Sequence, residues 1–115
     1  MEHRVGSRLN INTVVCLQTS HGEVAKAEIT DLSLSGAFVR TALVLPPSSP
    51  VRLTWPHQEG AGMRNVAIKA HVVRSADAGI GIEWNQFGPA PVKAFLSGYW
   101  MREAAERVRT SQVHS

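Results

Sequence analysis

Cysteine is nearly absent from this sequence: Cys16 is the only one among 115 residues, so no intrachain disulfide can form. Its setting, Val14-Val15-Cys16-Leu17, reads as that of a small core hydrophobe rather than a reactive thiol. A reducing, cytoplasmic location is the expectation. Long apolar runs are missing as well. Nothing approaches the ~20 apolar residues that a membrane helix requires, and the opening Met1-Glu2-His3-Arg4-Val5-Gly6 holds no signal-peptide core. Neither membrane insertion nor export is expected. Aromatic residues amount to only 6%, too few for an extended base-stacking platform. The five histidines, His3, His21, His57, His71 and His114, are scattered without metal-ligand spacing, and no phosphate-cradling glycine loop or nucleophile motif occurs. The expectation is therefore a protein that is not an enzyme, with no catalytic residue, no metal and no cofactor.

Charge is also modest. Lys+Arg number 12 against 9 Asp+Glu, a formal net charge of +3 that any soluble protein could carry. Basicity informs only where it clusters, at Arg4 with Arg8 and at Arg102, Arg107 and Arg109.

What is present is a 43% share of hydrophobic residues spread along the chain, enough for one compact domain with its own core. Their spacing is mostly two. In residues 10–19, Ile11, Val15 and Leu17 share a face against Asn12 and Gln18, and Thr19-Ser20-His21-Gly22 turns the chain. Residues 23–33 continue the pattern with Ala25, Ala27 and Ile29; unbroken alternation would carry Asp31 and Ser33 onto the Ile29 face. A short strand over residues 37–40 precedes the loop Pro46-Pro47-Ser48-Ser49-Pro50. Val51, Leu53 and Trp55 alternate next, residues 57–62 read as a polar connection, and Val66, Ile68, Ala70 and Val72 form a long strand. Ala76-Asp77-Ala78-Gly79 turns into Ile80, Ile82 and Trp84.

The period then lengthens. Val92, Phe95, Leu96, Tyr99 and Trp100 lie on one face of a helix opening beside Pro91, with Glu103 and Arg107 four apart as a supporting pair. Gly98 within it costs about 1 kcal/mol relative to alanine, so this helix needs its apolar face docked, on its own barrel or at an interface. The organisation expected is a flexible arginine segment at 1–9, a β-barrel at 10–88, an amphipathic helix at 89–110 and a disordered tail at 111–115.

Two polar segments are not needed to build such a barrel: Arg4-Val5-Gly6-Ser7-Arg8 before the first strand, and Asp31-Leu32-Ser33-Leu34-Ser35-Gly36 at the end of the second. Either alone is commonplace, since terminal arginines are usually solvated and Asp-x-Ser turns usually cap themselves. Together and in this order they resemble the PilZ family, whose pattern is Arg, three variable residues and Arg, then Asp or Asn, any residue, Ser, two residues and Gly. Ala37-Phe38-Val39 and Gly79-Ile80-Gly81-Ile82-Glu83-Trp84 extend the resemblance, which covers roughly residues 4–84.

The resemblance implies a mainly β fold, a six-stranded antiparallel β-barrel with a C-terminal α-helix. It also implies cyclic di-GMP as ligand, bound by Arg4, Arg8, Asp31, Ser33 and Gly36. The residue types suit that chemistry. A guanidinium can fork onto phosphate oxygens or onto guanine O6 and N7, an ionised Asp31 accepts from a guanine N–H edge, and the Ser33 hydroxyl donates or accepts. Gly36 would permit a positive φ or close ligand approach. His3 stands where many relatives carry a further arginine, an accessory position associated with holding one cyclic di-GMP or a stacked pair; the stoichiometry stays open. Ligand would order residues 2–9 over the barrel and create a surface for a downstream protein, from a monomer or weak dimer. The alternatives are a PilZ-like protein-interaction domain that does not bind the nucleotide, and a basic oligonucleotide-binding barrel using Trp55, Trp84 and Phe38. The second of these is disfavoured because both tryptophans fall on apolar strand faces.

Overall fold

The computed structural model describes the backbone of residues 8–114, and their side chains except at 58, 59, 100, 102–104 and 107–114. In chain order the elements are β1 (Leu9–Thr19), β2 (Val24–Leu32), β3 (Gly36–Arg40), β4 (Pro50–Glu59), β5 (Gly62–Ala76), β6 (Gly79–Trp84) and α1 (Ala90–His114). The strands close in the order β1-β2-β3-β6-β5-β4, each neighbour antiparallel. The seam is β1 on β4, from Cys16 opposite Thr54 to Thr19 opposite Val51, and closure leaves no continuous free edge. The expected mainly β, six-stranded antiparallel barrel with a C-terminal helix is what the chain forms.

Period-two alternation supplies the core. Val15 and Leu17 of β1, Ile29 of β2, Val39 of β3, Leu53 and Trp55 of β4, Val72 of β5, and Ile80, Ile82 and Trp84 of β6 are all buried. Val92 and Leu96, one helical turn apart on α1, join this cluster, with Phe95 packed beside them. The first turns of the helix thus dock on their own barrel, which supplies the tertiary support that Gly98 makes necessary.

Two core tryptophans differ in one respect. The Trp84 Nε1–H donates to the Ser33 carbonyl at 3.1 Å, whereas Trp55 Nε1 is buried with no partner among the described residues. Both substitutions to Phe remove similar volume, but only Trp84→Phe breaks a made hydrogen bond. We expect Trp84→Phe to lose more stability than Trp55→Phe, by about 1 kcal/mol or more, in denaturant unfolding of the two variants.

Four sequence expectations are corrected. Cys16 is exposed rather than in the core, because Val15 and Leu17 take the inward positions of β1 and strict alternation sends their neighbour out. Residues 57–62 are mostly not a connection: β4 and β5 run on as a hairpin to Glu59 opposite Gly62. Pro56 is tolerated in that extension because β1 pairs with β4 only as far as Thr54, so the missing N–H falls in a one-sided stretch. The helix runs to His114, past residue 110 and through most of the tail expected at 111–115; no Gly or Pro lies there to stop it. The fourth correction concerns Asp31, taken up below. The side chains of Arg102, Glu103, Arg107 and Arg109 lie outside the described residues, as do His3, Arg4 and the arginine segment up to residue 7.

Candidate functional site

The end of β2 is irregular. Against β1, the register slips between Asn10 and Thr13; against β3, Ile29 faces Val39 while Asp31 faces Phe38, leaving Thr30 as an extra residue. Such a bulge re-aims the side chains that follow it. Unbroken alternation would have placed Asp31 on the inward Ile29 face. Instead Leu32 points into the core at 1% exposure, and the Asp31 carboxylate comes to the surface at 27%.

The outward Asp31 meets Arg8. Arg8 Nη1 donates to Asp31 Oδ1 at 2.5 Å, so the last residue of the arginine motif and the first of the Asp-x-Ser-x-x-Gly motif, separated by 23 positions, form one ion pair. Both are solvent-accessible, and the pair is therefore open to exchange with a competing ligand at little cost.

A row of paired positions continues from this point around the barrel. Asn10 faces Asp31, Asp31 faces Phe38, Phe38 faces Gly81 and Gly81 faces Arg74. Gly81 has no side chain, and Arg74 uses the space: its Cγ, Nε and Cζ lie 3.2–3.4 Å from where a Cβ would stand. This lays the guanidinium over the Phe38 ring, 5.7 Å from its centroid, a cation–π contact. The surface offers, side by side, a guanidinium, a carboxylate, an aromatic ring and a second guanidinium. Sequence reasoning named Arg8 and Asp31 but missed Arg74. The slip between Val72 and Arg74 that brings it into the row leaves no local signature.

Ser33 and Gly36 each have a structural role of their own. Ser33 is 1% exposed, and its Oγ accepts from Gly36 N–H at 3.2 Å and Ser35 N–H at 3.3 Å. It also lies 3.2 Å from the Gly36 carbonyl and 3.1 Å from the Ser35 hydroxyl. The hydroxyl is the internal brace of the β2–β3 turn. Gly36 is not at positive φ. It is required because a Cβ would stand 2.0 Å from the Ile82 carbonyl oxygen of β6; the close approach is to the neighbouring strand. Ser33→Ala should then lower the stability of the ligand-free protein by about 1–3 kcal/mol, the usual cost of stripping partners from buried polar groups. Chemical denaturation reads this directly, whereas a hydroxyl that served ligand alone would leave ligand-free stability unchanged.

Trp55 and Trp84 are each 3% exposed and offer no stacking face to a nucleic acid strand. Phe38 is partly covered by Arg74. Among the described residues no helix is long and apolar enough to cross a membrane.

Comparison with known proteins agrees with this architecture. The family model described as PilZ domain matches residues 2–97. Among solved structures, the chain is similar to the crystal structure of the PilZ domain of CeSA from a cellulose synthesizing bacterium, with 19% identity and a TM-score of 0.58 over 70% of this chain and 81% of that one. No curated protein matches. That likeness carries the fold, and the family model, spanning the barrel and both motifs, carries the membership: the chain belongs to the PilZ domain family, a family of cyclic di-GMP receptors whose members are binding and adaptor domains rather than enzymes.

Proposed function

We propose that this chain is a cyclic di-GMP receptor whose binding surface is the Arg8–Asp31 pair extended by Arg4 before it and by Phe38 and Arg74 beside it. The observation that carries the reading is the 2.5 Å contact between Arg8 and Asp31, which joins the two motifs on one exposed patch. In the ligand-free protein these two charges satisfy each other. Cyclic di-GMP brings a replacement for each: phosphate oxygens or guanine O6 and N7 for the arginine fork, and the guanine N–H edge for the carboxylate. Arg74, itself laid on the Phe38 ring, offers a flat guanidinium face against which a base stacks. Ser33 and Gly36 act by holding the β2–β3 turn so that Asp31 stays outward. Residues 2–9 close over the bound nucleotide, and the new surface so formed is the signal read by a downstream protein.

Calorimetric titration of cyclic di-GMP into the purified chain, with GTP and a short RNA as controls, tests the proposal. Selective binding at micromolar affinity or better, about −8 kcal/mol, with one or two ligands per chain, is the expected result. No heat at several temperatures together with no thermal shift would place the chain among PilZ domains that act through protein contacts alone.

A further inference from the structure

A second surface of the barrel carries charge that the nucleotide reading does not use. Arg52 of β4 and Lys69 of β5 are directly opposed cross-strand partners, both exposed on the outer face of the barrel. Like charges in that position repel and destabilise the pair. Three arginines of the barrel surface are matched: Arg8 by Asp31, Arg40 by Glu28 and Arg74 by the Phe38 ring. Among the described residues Arg52 and Lys69 have no acidic partner. They border a cavity of about 460 Å³ where the end of β1 meets β4 and β5. Gln18, Ser20 and Asn85 also line it and supply neutral donors, and no lining residue is acidic. A second opening shares Lys69 and Asn85 and reaches Pro89, Ala90 and Pro91 at the start of α1, a helix with no acidic residue in its first turn, so the helix dipole adds positive potential there.

The geometry points to an anion site at this cavity, distinct from the cyclic di-GMP surface, for a phosphate group held between Arg52 and Lys69. A dianionic, tetrahedral phosphate converts the repulsion into a bridge and accepts bonds from several directions at once, which suits two cations with amide and hydroxyl donors around them. The site shares no residue with the row from Asn10 to Arg74.

The test uses the full chain at low ionic strength, titrated with inorganic phosphate and with ribose 5-phosphate while backbone amide resonances are followed, chloride at matched ionic strength being the control. Phosphate should shift the amides of Gln18, Arg52, Lys69 and Asn85 and saturate in the millimolar range or below. Arg52→Gln or Lys69→Gln should weaken this by at least ~10-fold, as loss of one charge-assisted hydrogen bond implies. In the absence of anion, either substitution should raise the melting temperature at low salt, because it removes one of two repelling charges. Tighter binding of ribose 5-phosphate than of phosphate identifies a phosphorylated small molecule as the ligand; equal binding identifies free phosphate. Arg8→Ala should leave phosphate binding intact, and Arg52→Gln should leave cyclic di-GMP affinity intact, so each site stands or fails separately. Shifts no larger than with chloride, equal shifts in the double variant, or binding of an aspartate-rich peptide but not phosphate would overturn the proposal.

Discussion

Arg8→Ala should cost this chain most of its cyclic di-GMP affinity while leaving its melting temperature almost where it was. The contrast follows from what Arg8 faces in each state. Without ligand it pairs with Asp31 at a surface where the arginine side chain is 47% exposed, and such pairs contribute about 0–1 kcal/mol. With ligand it becomes a partner in a contact shielded by nucleotide, where truncation costs about 2–5 kcal/mol, or roughly 30-fold in affinity at the least. Arg8→Lys keeps the charge and loses the fork, so it should fall between wild type and Arg8→Ala. Calorimetry and a thermal melt on the same samples separate the two effects. Unchanged affinity in both Arg8→Ala and Arg4→Ala would remove the arginine motif from the site.

Gly36→Ala should act the other way round, on the fold first. The added Cβ would stand 2.0 Å from Ile82 O and 3.0 Å from the Glu83 Cα, backbone atoms with no rotamer to escape into. Relief requires β3 to move away from β6, where Gly36 is the first of five paired positions. Overpacking of this kind costs about 1–3 kcal/mol and sometimes more. A lower denaturation midpoint with an unchanged slope is the expected result. Gly62→Ala is the matched control: nothing lies within 4 Å of its Cβ position and its φ is not positive, so it should change stability little. If the two variants melt alike, the close approach of β3 to β6 is not what Gly36 is for.

Much of the barrel was legible because its signal is local. Val15 and Leu17, Leu53 and Trp55, and Ile80, Ile82 and Trp84 alternate with polar or small residues, and each set is buried. The spacing of Val92, Phe95 and Leu96 foretold the helix, and the structure adds that these first-turn residues dock on the barrel. Both errors of reach, at residues 57–59 and at the helix end, lie where polar composition was read as loop although no Gly or Pro stands there to end the element. Cys16 was misplaced for another reason: it was judged by its apolar neighbours in sequence, although its even-numbered position puts it on the Asn12 and Gln18 face.

The motif residues were legible in the sequence, and their mutual geometry was not. Arg8 and Asp31 were named from motif chemistry, and they meet. Ser33 and Gly36 were named for ligand contact, and the structure adds that one braces its own turn and the other admits a neighbouring strand. By itself, the order of residues determined the strand periods, the apolar core, the helix and the two motifs, because each depends on neighbours a few positions apart. Tertiary structure alone decided that Asp31 faces outward, that Arg74 covers Phe38, and that Arg52 opposes Lys69. Those outcomes depend on bulges and cross-strand register, which are settled by how distant strands fit together when the barrel closes.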